Sequence, residues 1–202
     1  MIKKVVLPAM LAAISWFTVA GLNGATPDAA PNITYTATGT FSSPQISGTD
    51  TLKLSGEPFI ISIVASAGSA PVQHGSNWGI FSPFKMTGQV HSALVGTTPV
   101  NIASTAASIL QGIGPTFDNF EAAFPVRVVG ISLTIQAKIV MPAGTIAKPY
   151  LHPFSAVTLT PANAAVTYSD GTNATVLSIN NGSLTATIPA GQDAQPVHIQ
   201  IQ

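Results

Sequence analysis

Cysteine is absent from this sequence, and charged residues are scarce. Without cysteine, no disulfide can stabilise the fold, and no cysteine is available for lipid modification. Aspartate, glutamate, lysine and arginine make up 7% of the chain, against about 25% in ordinary soluble domains. Threonine, serine, asparagine and glutamine occupy many of the polar positions instead. The sequence therefore predicts a fold that depends on its hydrophobic core and a surface made soluble by hydroxyl and amide groups.

A long apolar run is found at the N-terminus. Two lysines precede the run, which extends from residue 5 to residue 20. This order of basic and apolar residues predicts a secretory signal peptide at residues 1–25, with cleavage after Ala25. A membrane anchor is the alternative interpretation. It needs about 20 unbroken apolar residues, and Pro8 interrupts this run.

Removal of the signal leaves five basic side chains against seven acidic ones. A chain so weakly charged has no basic face for nucleic acid or anionic lipid, and we expect no membrane span after cleavage. We therefore expect a secreted protein of the extracellular space or the cell surface, with the periplasm as the alternative. Residues 26–32 are predicted to form a flexible start, and residues 33–202 a single domain.

The region after the signal has mostly the two-residue periodicity of strands with one buried face. In residues 33–41, apolar residues alternate with threonines, and the inward set is Ile33, Tyr35, Ala37 and Phe41. Residues 131–140 alternate in the same way, with the inward set Ile131, Leu133, Ile135, Ala137 and Ile139. Upstream, Val126 and Val128 occupy even positions, whereas the inward residues of this segment occupy odd ones. We therefore expect a bulge at Val129-Gly130 that restores the register.

Further short strands complete the pattern. They are predicted at residues 51–54, 59–65, 86–95, 156–160, 166–169, 174–179, 183–188 and 197–201. The Asn181-Gly182 pair predicts a hairpin, and residues 104–111 are the one predicted helix. Nine or ten short strands separated by glycine, proline and asparagine predict an all-β fold, a single antiparallel β-sandwich of the immunoglobulin-like, Greek-key kind with one short helix.

Residues 184–201 contain a strand, an Ile-Pro-Ala-Gly turn, a short polar loop and a last alternating strand. This segment resembles the closing hairpin of bacterial extracellular immunoglobulin-like repeats of the Calx-β kind. The resemblance implies an immunoglobulin-like Greek key and an adhesive or matrix role. In that family, acidic residues in loops at one end of the sandwich hold calcium. This chain has too few carboxylates to place such a cluster, so calcium binding is not carried over.

Catalytic and metal-site motifs are absent. Asp118 and Glu121 are the only two carboxylates close together in the sequence, and glycoside hydrolysis needs a carboxylate pair. The alternative is a loop or turn in which Phe117, Phe120 and Phe124 enter the core while both acids stay in solvent. The histidines have no partner at metal-ligand spacing: His74, His91, His152 and His198. The sequence thus assigns no catalytic residue, no metal ligand and no cofactor.

An aromatic segment at residues 74–84 is the strongest candidate for ligand binding. It contains Trp78, the one tryptophan after the signal, in a glycine-rich stretch that predicts a loop. Aromatic rings on loops stack on sugars and anchor protein partners. The candidate ligand-binding residues are His74, Trp78, Phe81 and Phe84. In the alternative interpretation, Trp78 and Phe81 fold back and cap the core.

Three classes of function remain open. The first is an exported, non-catalytic β-sandwich protein with a surface, matrix or adhesive role, whose partner is a glycan or a protein at the cell surface. The second is a filament or coat subunit, a homo-oligomer in which residues 26–41 add a strand to a neighbouring copy; pairing of residues 33–41 within their own fold is the alternative. The third is a secreted hydrolase acting on polysaccharide, for which the sequence offers no motif.

Overall fold

The computed structural model describes residues 31–42, 47–67, 69–146 and 151–189. These residues form the strands β1 (Asn32–Phe41), β2 (Pro58–Ser66), β3 (Gln73–His74), β4 (Trp78–Val90), β5 (Val100–Ile113), β6 (Phe117–Val128), β7 (Ile131–Pro142), β8 (Phe154–Leu159), β9 (Ala164–Ser169) and β10 (Ala174–Thr187). The all-β prediction is confirmed. Within the described residues there is no helix long and apolar enough to cross a membrane. The predicted signal and the predicted strand at residues 197–201 lie outside these ranges.

One antiparallel sheet closes on itself. Its strands follow the order β1-β2-β4-β5-β6-β7-β9-β10, and β10 pairs with β1 to complete a ring of eight. The structure is therefore a closed barrel and not the predicted sandwich. The reason is that β1 pairs along one edge with β2 and along the other with β10, so that no two separate sheets are left to pack face to face. Outside the ring, β3 pairs with β4 and β8 pairs with β10.

The inward faces predicted from alternation fill the barrel interior. In β1, Ile33, Tyr35 and Phe41 are buried as predicted. In β7 the predicted inward residues are buried or half-buried except Ile131, which is 42% exposed beside the turn that precedes it. The Tyr35 ring contacts Phe120 of β6, with 5.4 Å between the ring centroids. Buried residues from all sides of the ring belong to one hydrophobic cluster.

Connecting segments cover the two ends of the barrel. The first, called the Asp50 end, is covered by the connection between β1 and β2, which contains Asp50 and the buried Leu52. The second, called the Asp118 end, is covered by the connection between β7 and β8, from which Ile146 and Leu151 are buried. Strands β1, β4 and β6 begin at the Asp118 end, and β5, β7 and β10 finish there.

The connection between β6 and β7 is a two-residue hairpin turn, and the predicted bulge at this place is wrong. Val129 and Gly130 have positive φ angles of 50° and 80°, as a type I′ turn requires. Val128 pairs with Ile131 across the turn. Directly opposed residues share a face, so a two-residue turn moves the inward positions from even numbers in β6 to odd numbers in β7. The change of parity in the sequence therefore marks a reversal of the chain.

The predicted hairpin at Asn181-Gly182 is also wrong, because both residues lie inside β10. Asn181 has a φ of 49°, and the register between β1 and β10 shifts between Thr38 and Thr40. A Cβ atom at Gly182 would lie 2.3 Å from the carbonyl oxygen of Thr38, so the close approach of the two strands requires glycine. Past this bulge, β10 exchanges its neighbour on the other edge from β9 to β8.

Residues 104–111, the predicted helix, form part of β5. Ala107 is buried and pairs with Phe84 of β4, whereas the preceding pair joins Met86 to Ser104. Two residues of β5 therefore oppose one residue of β4, which is a bulge. The bulge interrupts the two-residue alternation among small residues, and for this reason the sequence favoured a helix here.

Candidate functional site

The predicted aromatic loop is a pair of strands at the Asp118 end. β3 and the start of β4 are paired, with His74 opposite Gly79 and Gln73 opposite Ile80. His74 is exposed, and Trp78, the first residue of β4, is 41% exposed. The structure therefore presents these two candidate residues to solvent.

The other two candidates, Phe81 and Phe84, face the interior. Phe81 is 2% exposed, and Phe84 packs partly buried against the core. Between their pairs with β5, two residues of β4, Ser82 and Pro83, oppose the single residue Ser108. This bulge turns both phenylalanines inward although they are three residues apart. The structure thus separates the predicted set into two surface residues and two that pack with the core.

Contacts on both sides fix the position of Trp78. The amide group of Asn77 donates from Nδ2 to the carbonyl oxygen of Ile113 at 3.1 Å, and the Ile113 N–H donates to the Asn77 carbonyl oxygen at 2.8 Å. On the other side the indole lies against Gly75, where a Cβ atom would come within 2.3 Å of the Trp78 Nε1. The indole is therefore held in place while two fifths of the residue remains open to solvent.

Beside the indole is a groove of about 270 Å³, called the Trp78 groove. Trp78 pairs with Gly112 of β5, and Gly112 pairs with Asn119 of β6. Because Gly112 has no side chain, the space between Trp78 and Asn119 is open. The groove is lined by residues of β4, β5 and β6 and of their adjoining loops: Asn77, Trp78, Leu110, Gly112, Ile113, Gly114, Asn119 and Glu121.

Polar side chains line the wall of the groove that faces Trp78. Glu121 makes an ion pair with Lys138 of β7, with 3.5 Å between Oε1 and Nζ, and accepts a hydrogen bond from Gln136 Nε2 at 3.2 Å. The side-chain amide of Asn119 makes no hydrogen bond to the described residues. One outer face of the barrel therefore carries the Trp78 indole, the open floor, the Asn119 amide and the Glu121 carboxylate with its fixed partners. Sequence analysis missed Asn119, although its two-residue spacing from Glu121 places both on one face of β6.

Asp118 and Glu121 lie on opposite faces of β6, since they are three residues apart in a strand. Asp118 is fully buried, and its Oδ2 accepts a hydrogen bond from the Ile146 N–H at 2.9 Å. The prediction that both acids stay in solvent is wrong for Asp118, and the prediction that the phenylalanines enter the core is wrong for Phe117, which is 47% exposed. A pair divided between the interior and the outer surface cannot flank one glycosidic bond.

The interior of the Asp118 end carries polar atoms that the sequence analysis did not place in the core. Gln111 Nε2 and Asp118 Oδ1 are buried, and neither has a hydrogen-bond partner among the described residues. The Tyr35 hydroxyl donates to the His152 carbonyl oxygen at 3.5 Å. Burial raises the pKa of Tyr35, and the nearby Gln111 side chain acts in the opposite direction. The inward parity of Gln111 and Asp118 in their strands is the sequence signal that could have identified them.

The described histidines do not converge. His74 is exposed in β3, and His91 and His152 are half-buried at positions that follow β4 and precede β8. In the ranges that the structure covers, no three residues of the types His, Cys, Asp and Glu lie close enough to hold a metal ion. His198 is outside those ranges.

No protein-family model, no curated protein and no solved structure matches this chain. The resemblance of residues 184–201 to Calx-β-type repeats therefore stays a prediction. The Trp78 groove is the arrangement of described residues that best combines exposure, shape and polar chemistry.

Proposed function

We propose that this chain is an exported, non-catalytic binding protein whose Trp78 groove takes a neutral glycan at the cell surface or in the extracellular matrix. The observation that carries the proposal is the fixed and partly exposed indole of Trp78, which faces Asn119 and Glu121 across an open floor. A sugar ring has an apolar face and a rim of hydroxyls. The face packs on an aromatic ring, and the rim hydrogen-bonds to amide and carboxylate groups.

The charge of the groove also favours a neutral ligand. Glu121 is already paired with Lys138, so that the two charges offset each other at the far wall. The other lining residues are uncharged. An anionic or cationic ligand would gain little here, whereas hydroxyl groups can donate to the Asn119 carbonyl oxygen and accept from its amide nitrogen.

Export is the part of the proposal that rests on sequence alone. The basic and apolar order of residues 1–25 supports it, and so does the low charge of the remaining chain. A protein that works outside the cell without disulfides needs a fold held by its own core and ladders, and the closed barrel is suited to this.

Fluorescence offers a direct test, because the chain contains two tryptophans, Trp16 and Trp78, and Trp16 lies in the predicted signal. In residues 26–202 the emission therefore comes from Trp78. We expect neutral oligosaccharides of suitable linkage to shift this emission in a saturable way. Trp78→Ala should weaken retention on the matching polysaccharide at least about tenfold, the equivalent of roughly 1.4 kcal/mol.

Phe117→Ala is the matched control. Phe117 is an aromatic residue of the same end with 47% exposure, and it does not line the groove. We expect this variant to bind like the unaltered chain. Equal binding by Trp78→Ala and the unaltered chain would overturn the groove as the site, and the absence of binding across neutral oligosaccharides would overturn the ligand class.

The structure gives less support to the other two functional classes, the filament or coat subunit and the hydrolase. Strand addition by residues 33–41 would require β1 to leave both β2 and β10, with which it is paired. A hydrolase would need a second carboxylate on the outer face beside Glu121, and Asp118 is on the inner face. The binding protein is therefore the function that we propose.

A further inference from the structure

The outer edge of β8 is open. On one edge β8 pairs with β10, from Phe154 opposite Ala186 to Leu159 opposite Gly182, and no pairing is formed on its other edge among the described residues. A groove of about 570 Å³ runs along this open edge, between β8 and the end of β7. Its lining includes Pro142, Thr145, Phe154, Ala156 and Thr158, and no charged residue contributes to it.

The sequence of residues 197–201 predicts a strand, which needs the edge of another strand to pair with. Their sequence alternates three aliphatic residues with His198 and Gln200, which predicts one buried face and one wet face. The nearest preceding strand, β10, cannot accept them, because both of its edges are occupied at the relevant level. Ser183, for example, pairs with Thr38 on one side and with Thr158 on the other.

We propose that residues 197–201 of the same chain add as a further strand to the open edge of β8. The inference does not depend on the Trp78 groove. β8 lies next to β10, so its outer edge is two strand spacings, or about 10 Å, from the end of β10. The residues between Pro189 and Val197 can span about 25 Å when extended. The tail is therefore long enough to pair with this edge within one molecule.

The other long open edges are farther away. β5 pairs with β6 only between Ser108 and Ile113, which leaves the first half of β5 and residues 124–128 of β6 unpaired on the sides that face each other. However, β5 lies four strands from β10 in either direction around the ring, and β6 lies three strands from it. At β8, in contrast, Val157 and Leu159 are buried, and Ala156 and Thr158 are exposed. In the proposed pairing, the aliphatic residues of the tail would extend the buried face, and His198 and Gln200 would lie on the outer face.

Paired cysteines provide the test, because the chain has none of its own. Cysteine is placed at Ala156 or Thr158 and, in the same chain, at His198 or Gln200, in residues 26–202. A disulfide needs Cβ atoms about 3.8 Å apart, so we expect at least one of the four combinations to form an intramolecular disulfide under mild oxidation, identified by peptide mass spectrometry. Thr105, on the open half of β5, paired with His198 is the control and should not cross-link.

A second measurement uses one matched pair of tail variants. Ile199→Asp places a charge on the buried face and should lower the melting temperature by about 3 °C or more, whereas Gln200→Asp on the wet face should leave it unchanged. Absence of any link, together with equal melting temperatures for both variants, would overturn the proposal. Links formed only between two molecules would also overturn it, in favour of strand exchange between copies.

Discussion

The two ends of the barrel treat a buried carboxylate differently. At the Asp50 end, Asp50 accepts hydrogen bonds from the Leu54 N–H at 3.1 Å, the Ser55 N–H at 2.7 Å and the Tyr168 hydroxyl at 2.8 Å. At the Asp118 end, Asp118 accepts from Ile146 through one oxygen, and its other oxygen has no partner among the described residues. Among the described residues, both oxygens of Asp50 therefore accept hydrogen bonds, whereas only one oxygen of Asp118 does.

This difference predicts that Asp50 contributes more to the stability of the fold than Asp118 does. Buried polar atoms are nearly always paired, so an unpaired one indicates a role other than stability or an internal water. The less saturated end is also the end that carries the Trp78 groove on its outer face. The Asp50 end therefore contributes more hydrogen bonds to the stability of the fold, and the Asp118 end is the one on which the proposed binding site lies.

The largest effect is expected from Asp50→Ala. The substitution leaves three donors without their acceptor, and two of those donors are backbone amides of the segment that covers the barrel end. We expect the free energy of unfolding to fall by about 3 kcal/mol, measured by urea denaturation at pH 7. The control is Asp170→Ala, which removes an exposed carboxylate that also accepts from two backbone amides, those of Thr172 and Asn173, and should cost much less. Equal losses of unfolding free energy in the two variants would contradict the stabilising role of Asp50.

A pH dependence follows from the same residue. Burial raises the pKa of Asp50, but the Ser55 and Leu54 amides and the Tyr168 hydroxyl outweigh it, so the pKa lies below its ordinary value. A carboxyl with a lowered pKa contributes stability that is complete above the ordinary value of about 4 and is lost as the pH falls through the folded-state value. Between about pH 5 and pH 2, the stability of the unaltered chain should therefore fall more steeply than that of Asp50→Asn. Parallel curves in acid denaturation would refute this.

At the opposite end, removal of a polar group should cost nothing. Gln111→Met keeps the length of the side chain and removes a buried amide nitrogen that has no partner in the described residues. We expect the free energy of unfolding to stay the same or to rise by about 1 kcal/mol. A fall in the free energy of unfolding by about 1 kcal/mol would show that a water molecule or a ligand satisfies the nitrogen. The two ends would then be more alike than their hydrogen bonds indicate.

The smallest effect on stability is expected from Gly112→Val, in the floor of the Trp78 groove. A Cβ atom at this position makes ordinary contact with Asn119, 3.7 Å from its Cβ, and valine suits a strand. The free energy of unfolding should change by less than about 0.5 kcal/mol, while glycan retention is lost because the side chain fills the groove. Retained glycan binding by this variant would show that the glycan does not bind in the Trp78 groove.

The sequence predicted β1 and β7, whose buried faces are marked by alternation, and it failed at the bulges of β5 and β10. It also failed at β6, where residues 117–124 were interpreted as a loop or turn although the buried face alternates without a bulge. β1 and β7 follow their predicted inward positions closely. The sequence predicted a bulge at Val129-Gly130, which forms a turn, and a turn at Asn181-Gly182, which lies at a bulge. The two were confused because a positive φ suits both a two-residue turn and a bulge. The choice between them depends on distant partners: β10 is held by β1 and by β8 on either side of Asn181, so it cannot turn back there.

The candidate site was predicted in part for a related reason. Trp78 was selected because it is the one tryptophan after the predicted signal and lies in a glycine-rich aromatic stretch, a feature that is visible within one segment of the sequence. Asn119 and Gly112 come from other strands and are joined to Trp78 only by cross-strand pairing. Glu121 was noticed, but it was paired with Asp118 because the two are close in sequence. Positions three apart in a strand face opposite ways, so these two carboxylates cannot share a face.

The ladder between β1 and β10 sets a condition on the order of events during synthesis and during the export that we propose for this chain. It joins Thr34 to Thr187 and Phe41 to Ile179, so the barrel cannot close before its last described strand is available. A chain that is threaded through a narrow channel from its N-terminus would thus stay open until most of it had passed. Because the closing ladder forms late, the chain would remain competent for translocation until β10 is available.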